Sequence, residues 1–158
     1  MTTLYKSVLN FFIQDDWNYT EIERGEALSV EVKMENSNCT CYAIVYDEVN
    51  TFKFYSMSPV KIPKKKFLPI AEFLTRANYG LVLGNFEMDF SDGEVRYKTS
   101  IYVADNELDF PVIKRMVYSN LLTLDKYLPA IMKVIYSNIS PEEAINEIEE
   151  EEEEEEAA

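Results

Sequence analysis

The chain has 158 residues, of which 47% are hydrophobic and 13% aromatic, and its formal net charge is −14. This length and apolar content suit a single domain with a sizeable core, and they exclude disorder for most of the chain. An acidic surface repels the phosphate backbone, so no nucleic-acid partner is expected. The charge is uneven, because Glu149 to Glu156 is an unbroken run of eight glutamates and the rest of the chain carries only −6.

The N-terminal half predicts one helix followed by strands. Apolar side chains recur every three to four residues over residues 3–13, which is typical of an amphipathic helix. Four strands are predicted after it, at residues 17–22, 28–35, 39–46 and 51–57. Short turns between the last three favour an antiparallel meander. The strand at 39–46 is apolar on both faces, so we expect it near the centre of the sheet.

The C-terminal half predicts a helix, a hairpin and further helices. Residues 64–78 suit a helix that Gly80 ends, although Pro69 favours a kink or a later start. A hairpin follows, with Gly93 in its turn. A long helix begins near Pro111, and Pro129 is expected to kink it. Ser140 and the three residues after it carry a capping signal for a last short helix.

These elements predict an α+β domain, an antiparallel sheet flanked by helices in the order α-β-β-β-α-β-β-α. Alternation with charged neighbours predicts which strand residues face the helices, namely Val30, Val32, Phe86, Met88, Val95 and Tyr97. The domain is expected to span residues 1–148. Repulsion between like charges predicts that residues 149–158 form a disordered tail, which serves solubility or binds a basic partner.

The composition indicates a reducing compartment. Only two cysteines occur, Cys39 and Cys41, and they are too close along the chain for ordinary disulfide geometry. The first residues lack the apolar core of a signal peptide, and no apolar run approaches the roughly 20 residues that cross a bilayer. We therefore expect a cytoplasmic protein with no membrane partner.

The residues needed for enzymatic chemistry are scarce. The chain has no histidine, which excludes the triads that use histidine as base. Two cysteines are too few for an ordinary zinc site, and a buried strand pair is their simpler interpretation. Glu87 and Asp89 suggest an acid–base pair. Such residues more often lie on the solvent-exposed face of a hairpin, where Arg96 and Lys98 would form ion pairs with them. We predict a protein that is not an enzyme and has no cofactor and no metal.

This acidic chain contains one cluster of basic residues. It comprises Lys61, Lys64, Lys65 and Lys66. Lysines at the start of a helix oppose its macrodipole, which favours negative charge there. Residues that disfavour the local structure in this way can mark a functional site. These four lysines are the candidate partner-binding residues, for an anion, an acidic segment or the glutamate tail of a second copy. The alternative is a solvated turn that keeps the adjoining sheet edge soluble.

Several motifs together resemble the YbjN-like proteins, a family described as bacterial sensory transduction regulators. The hairpin carries the main signal, Gly84-Asn85-Phe86-Glu87-Met88-Asp89 followed by Asp92-Gly93-Glu94-Val95-Arg96-Tyr97. Supporting motifs occur in the same order as in the family, namely Trp17-Asn18-Tyr19, Arg76-Ala77-Asn78, Leu124-Asp125-Lys126-Tyr127-Leu128-Pro129 and Ser140-Pro141-Glu142-Glu143-Ala144. The resemblance covers roughly residues 8–148.

The resemblance implies a fold similar to type III secretion chaperones, which are small, acidic, often dimeric, and bind partner segments without chemistry. It supplies no catalytic residues. We therefore predict a non-enzymatic protein-binding module, chaperone-like or a regulatory adaptor, that forms a homodimer and binds a protein partner. The alternative is a small-molecule-sensing domain with a pocket between the sheet and the long helix.

Overall fold

The computed structural model describes residues 2–105 and 107–158. The helices and strands of this part follow one another as α1 (Thr3–Gln14), β1 (Tyr19–Glu23), β2 (Ala27–Lys33), β3 (Asn38–Tyr46), β4 (Thr51–Met57), α2 (Phe67–Gly80), β5 (Asn85–Asp89), β6 (Glu94–Tyr102), α3 (Phe110–Tyr136) and α4 (Pro141–Ala157). Single 3-10 turns occupy Asp47–Val49 and Lys64–Lys66. None of the described helices is long and apolar enough to span a membrane.

The strands form one antiparallel sheet in the order β1-β2-β3-β4-β6-β5. β3 and β4 lie at its centre, which explains why β3 is apolar on both faces. α2 connects β4 to β5 at the edge of the sheet, and the hairpin then returns β6 to a place beside β4. The predicted α+β class is confirmed. The observed order contains two elements more than the predicted one, β1 and α4. The sequence pattern indicated a strand and a helix in these two segments, but the predicted order did not include them.

One face of the sheet carries the core. The six residues predicted to face the helices all pack in the hydrophobic core, Val30, Phe86, Val95 and Tyr97 fully buried and Val32 and Met88 partly so. Their charged neighbours Glu31 and Glu87 lie on the opposite face. A one-residue slip would exchange the two faces, so the alternation in the sequence determines the register.

The helix ends follow local chemistry. The Thr2 side chain accepts a hydrogen bond of 3.2 Å from the backbone N–H of Tyr5 and caps α1. α2 begins at Phe67, which places Pro69 in its first turn, where the missing N–H costs little. The predicted later start is therefore confirmed. α3 begins at Phe110 and continues through Pro129 to Tyr136.

Two asparagines make polar contacts that hold the layers together. Asn120 on α3 is fully buried, and its amide donates to the carbonyls of Phe54 (2.9 Å) and Tyr97 (3.1 Å) on the sheet. Asn78 on α2 accepts from the Phe86 N–H at 2.7 Å and donates to the Phe86 carbonyl at 3.1 Å. The Asn78 amide thus occupies the outward backbone groups of Phe86, and it blocks the β5 edge at that point.

The C-terminal segment differs from the disorder that its like charges predict. α4 extends from Pro141 to Ala157, with a capping box between Ser140 and Glu143. Its first turns pack on α2 and α3 through Ala144, Ile145 and Ile148, which are all buried. This packing extends an established helix into the glutamate run, where Glu152 pairs with Lys126 of α3.

Candidate interaction surfaces

The segment that carries the predicted lysines lies against the β5–β6 turn. The Ile62 N–H donates to the Gly93 carbonyl at 2.9 Å, and the Lys61 ammonium lies 3.2 Å from the Asp92 carboxylate. Gly93 has φ +80°, and a Cβ there would lie 2.3 Å from the Ile62 carbonyl oxygen. Only glycine combines this positive φ with room for the Ile62 carbonyl beside it. Gly93 therefore allows the lysine segment to lie against the turn.

The lysines themselves project from this segment. Lys61, Lys64 and Lys65 are exposed and Lys66 is half-buried. Lys64, Lys65 and Lys66 form no ion pair with any described residue. They directly precede α2, whose N-terminal end adds positive potential. The structure therefore brings the four predicted residues together as a local positive charge on an acidic protein.

Exposed apolar side chains adjoin these lysines. Leu68 is 74% exposed and Phe90 is 55% exposed. The Phe90 ring lies 5.7 Å from the ring of Phe67, the first residue of α2. We call Lys61, Lys64, Lys65, Lys66, Leu68 and Phe90 the basic–apolar patch. The apolar half of this patch was not predicted. Phe90 continues the apolar alternation of β5 in the sequence, so it resembles a strand residue, but β5 ends at Asp89.

A second surface is the face of the sheet that no described helix covers. We call it the outer sheet face. Its centre consists of Thr40, Tyr42, Ile44, Tyr46, Lys53, Tyr55 and Met57 of β3 and β4, and β6 adds Arg96 and Lys98. These two central strands and β6 line a shallow depression of about 480 Å³. This face was not predicted as a functional surface, although the apolar residues at the outer positions of β3 indicate it in the sequence.

Cations stack on the tyrosines of the outer sheet face. The Arg96 guanidinium lies 4.2 Å from the centre of the Tyr55 ring, and the Lys53 ammonium lies 4.7 Å from that of Tyr46. Burial and the neighbouring Tyr55 raise the pKa of Tyr46. Tyr46 is therefore neutral at physiological pH and combines apolar area with a hydroxyl group, as interface anchors do.

The carboxylates that suggested an acid–base pair serve as structural ion-pair and turn residues. Glu87 accepts hydrogen bonds from Arg96 (2.9 Å) and Lys98 (2.8 Å), which confirms the predicted cross-strand pairs for this residue. Burial acts to raise the pKa of Glu87, but these two hydrogen bonds outweigh it and the pKa is lowered. Asp89 instead accepts the Ser91 N–H at 2.8 Å, and its hydrogen bonds with Ser91 lower its pKa. Neither carboxyl has the raised pKa of a general acid.

The two cysteines are buried on the inner face of β3, with sulfurs 3.7 Å apart. The hydrogen bond with Cys39, together with burial, raises the pKa of Cys41, so that thiol stays protonated and unreactive. Both cysteines point to one face, as predicted. Within the described ranges, no group of three or more histidine, cysteine, aspartate or glutamate side chains could hold a metal ion.

Packed side chains occupy the space where the alternative prediction placed a ligand pocket. Between the sheet and α3, the fully buried Ile113, Val117 and Asn120 fill the layer. Thr99 of β6 donates to the Met116 carbonyl of α3 at 3.2 Å. These contacts favour a stabilising role for this layer over ligand binding.

Comparison with known proteins identifies relatives of this fold. The YbjN family model, described as "Putative bacterial sensory transduction regulator", matches residues 5–133. The crystal structure of YbjN from E. coli, described as "a putative transcription regulator", aligns with a TM-score of 0.58 and 13% identity, covering 87% of this chain and 95% of that chain. The HopA1-SchA chaperone-effector complex aligns with a TM-score of 0.49 and 16% identity, covering 78% and 91%. No curated protein matches the chain. At 13% identity, the likeness to the E. coli YbjN structure concerns the fold alone.

Proposed function

The chain belongs to the YbjN family, and from that premise we propose that it is a non-enzymatic, cytoplasmic protein-binding module whose basic–apolar patch holds an acidic, partly apolar segment of another protein. The family's description as a regulator fits a protein that acts by association. The low pKa of Glu87, which keeps that carboxyl ionised between two cations, fits the absence of acid–base chemistry. The two buried free thiols support a reducing compartment.

The observation that carries this proposal is the juxtaposition of exposed apolar side chains with lysines that pair with no described acidic residue. Leu68 and Phe90 expose more than half of their surface. Phe67 connects them, because it precedes Leu68 in the chain and its ring centre lies 5.7 Å from that of Phe90. The adjoining Lys64 and Lys65 favour a negatively charged partner, although the whole chain carries −14. An acidic segment with apolar anchors would satisfy both halves of the patch.

The patch also contains opposing charges that restrict which segment fits. Asp92 already holds Lys61 at 3.2 Å, and Asp89 lies in the same turn. The positive charge that no described acidic residue pairs with is therefore concentrated before α2, at the exposed Lys64 and Lys65 and the half-buried Lys66. We expect the acidic residues of the partner to lie beside α2 and its apolar anchors to lie towards Phe90.

A peptide-binding experiment tests this function. The probes are two fluorescent peptides of about 15 residues with the same leucine and phenylalanine positions, one carrying glutamates and the other carrying lysines at the polar positions. We expect the acidic peptide to bind more tightly, and its affinity to fall as salt rises because exposed charges are screened. The variant Lys64→Glu/Lys65→Glu should weaken binding roughly 5- to 30-fold, mainly through slower association. Phe90→Ser should weaken it through faster dissociation.

The matched control reverses two exposed cations elsewhere. Lys6→Glu/Arg24→Glu changes the net charge by the same amount, but both residues lie outside the patch. Equal losses of affinity in the two variants would mean that only net charge matters, and this would refute the patch. Preferential binding of the basic peptide would refute the proposed partner chemistry.

A further inference from the structure

The edge of the sheet at β5 has backbone groups that point away from the sheet. β5 is the last strand in the order, so one of its sides has no described strand beside it. In an antiparallel pair, alternate residues direct both backbone groups towards the neighbouring strand, and the residues between them direct both groups away. The Ser58 N–H donates to the Val95 carbonyl at 2.8 Å, so Val95 points towards β4. Met88, which pairs with Val95, therefore points its N–H and C=O away from β6.

Asn78 distinguishes Met88 from the other outward-pointing residue of β5. That residue is Phe86, two positions earlier, and the Asn78 amide binds both its N–H (2.7 Å) and its C=O (3.1 Å). In the described part of the chain, no side chain or loop backbone forms a hydrogen bond with either backbone group of Met88. The open part of this edge is therefore limited to one donor and one acceptor, both on Met88.

We propose that the partner segment passes Met88 in an extended conformation, and that one of its residues exchanges two backbone hydrogen bonds with Met88. We call this contact the Met88 bridge. It rests on the proposed function, because the segment is the acidic, partly apolar one that the basic–apolar patch holds, and Phe90 of that patch follows Met88 by two residues. In strand addition, main-chain hydrogen bonds supply affinity and side chains supply specificity. The bridge ends at Met88, because Asn78 already occupies the backbone of Phe86.

The side chains beside Met88 restrict which partner residues lie next to the bridge. A depression of about 350 Å³ adjoins the end of β5, and its lining residues are Glu87, Met88, Asp89, Phe90, Glu94 and Arg96. Arg96 is already held by Glu87 at 2.9 Å, whereas Asp89 and Glu94 form no ion pair with any described residue. A partner glutamate beside the bridge would face these two carboxylates. The partner residues at the bridge are therefore uncharged, and its acidic residues lie beyond the turn, beside Lys64 and Lys65.

The size of the bridge predicts a modest contribution to affinity. One net hydrogen bond changes a binding constant about 2- to 12-fold, and the bridge contains two. The edge itself is already ordered, because β5 pairs with β6 along its length and Asn78 holds Phe86. Only the partner segment loses conformational freedom on pairing, which favours a short contact of this kind.

Two substitutions of Met88 isolate its N–H. Met88→Pro removes the outward N–H but no hydrogen bond of the sheet, since proline is tolerated on an edge strand where the N–H faces solvent. Met88→Ala is the matched control, because it removes the same side chain and keeps the N–H. We expect Met88→Pro to bind the peptide described below at least about 3-fold more weakly than Met88→Ala does. Circular dichroism checks that both variants are folded. Equal affinities of the two variants would overturn the bridge.

The peptide probe separates its charged and uncharged residues. It has about 15 residues, with glutamates in one half and alternating leucine and threonine in the other half. The control peptide has the same composition, but its glutamates are interspersed among the leucines and threonines. We expect the first peptide to bind at least about 5-fold more tightly, because only its uncharged half avoids the carboxylates beside Met88. Tighter binding of the interspersed peptide would contradict the bridge and leave the basic–apolar patch as the site.

Amide hydrogen exchange of the full chain observes the bridge directly. In the free protein, the Met88 amide should exchange faster than the Phe86 amide, which Asn78 protects. A saturating concentration of the probe should slow exchange at Met88 at least about 5-fold and leave Phe86 unchanged. If the probe binds and Lys64→Glu/Lys65→Glu weakens it while exchange at Met88 stays the same, the bridge is wrong and the proposed function stands. If neither peptide binds, the proposed function fails, and the bridge fails with it.

Discussion

The side-chain amide of Asn36 donates a hydrogen bond of 3.2 Å to the backbone carbonyl of Asp125. Asp125 lies four residues before Pro129, which has no N–H to donate to that carbonyl. The Asp125 carboxylate in turn accepts the Asn36 N–H at 2.9 Å and the Ser37 hydroxyl at 3.2 Å. The β2–β3 turn therefore supplies the donor that the proline removes from α3, and this allows a proline inside a long buried helix.

Asn36→Ala should destabilise the protein through this contact. The change removes one donor and leaves a part-buried carbonyl without a partner, so the free energy of unfolding should fall by about 1–2 kcal/mol. Chemical denaturation measures this change. Asn38→Ala, two residues further along, is the control, because Asn38 is exposed at the start of β3. Equal effects of the two changes would contradict the proposed role of Asn36.

Gly93→Ala should damage both stability and peptide binding. The φ of +80° and the approach of the Ile62 carbonyl leave no room for a Cβ, so we expect a loss of about 1–3 kcal/mol. Because this turn positions the lysine segment, affinity for the acidic peptide should fall as well. Gly25→Ala is the control for positive φ alone, since nothing lies within 4 Å of its Cβ position. A Gly93 variant with unchanged affinity and stability would exclude this positioning role.

The ion pairs of Glu87 predict a specific pH dependence. The pKa of Glu87 is lower in the folded protein than the ordinary value of 4.5 for glutamate. Its contribution to stability is therefore complete above that ordinary value and is lost as pH falls through the lower folded pKa. Glu87→Gln should flatten the decline in unfolding free energy below about pH 4.5. Glu48→Gln, an exposed residue beside β3, should leave the slope unchanged. Identical slopes for wild type and Glu87→Gln would refute the pairing.

Truncation separates the two parts of α4. Deleting residues 149–158 should change the unfolding free energy by less than about 1 kcal/mol, because exposed ion pairs such as Lys126–Glu152 contribute little. Ile148→Ala should cost about 2–4 kcal/mol, because Ile148 is buried against the other helices. The truncated protein should lose helical circular dichroism signal, because α4 extends through the glutamates to Ala157. An unchanged total signal would support the disorder that the sequence predicts.

Solubility provides a further measurement on the same truncation. Without the eight glutamates the net charge is closer to zero, so solubility near pH 5 should fall. A chain that substitutes eight serines for residues 149–156 is the control for length. If the serine chain is as soluble as the wild type, charge is not the cause.

The family and most of the fold could be predicted from local patterns. The alternation in β2, β5 and β6 predicted the buried face correctly, because a side-chain period of two leaves only one register that buries Val30 and Tyr97. The hairpin motif around Gly93 predicted the family, and the family match over residues 5–133 confirms it. The place of Asn120 could not be predicted, because a polar residue on a helix gives no sign that its partners are carbonyls on two different strands.

The sequence by itself determined the local features, namely helix caps, strand register, the turn at Gly93 and the presence of four neighbouring lysines. These depend on residues within a few positions of one another, so short-range sterics and hydrogen bonding are sufficient to determine them. Only the tertiary structure decided that Phe90 and Leu68 lie exposed beside those lysines, that Asn36 compensates for Pro129, and that Asn78 covers the backbone of Phe86 but not that of Met88. Such relationships join residues far apart in the chain, and they arise from how the sheet and helices pack together.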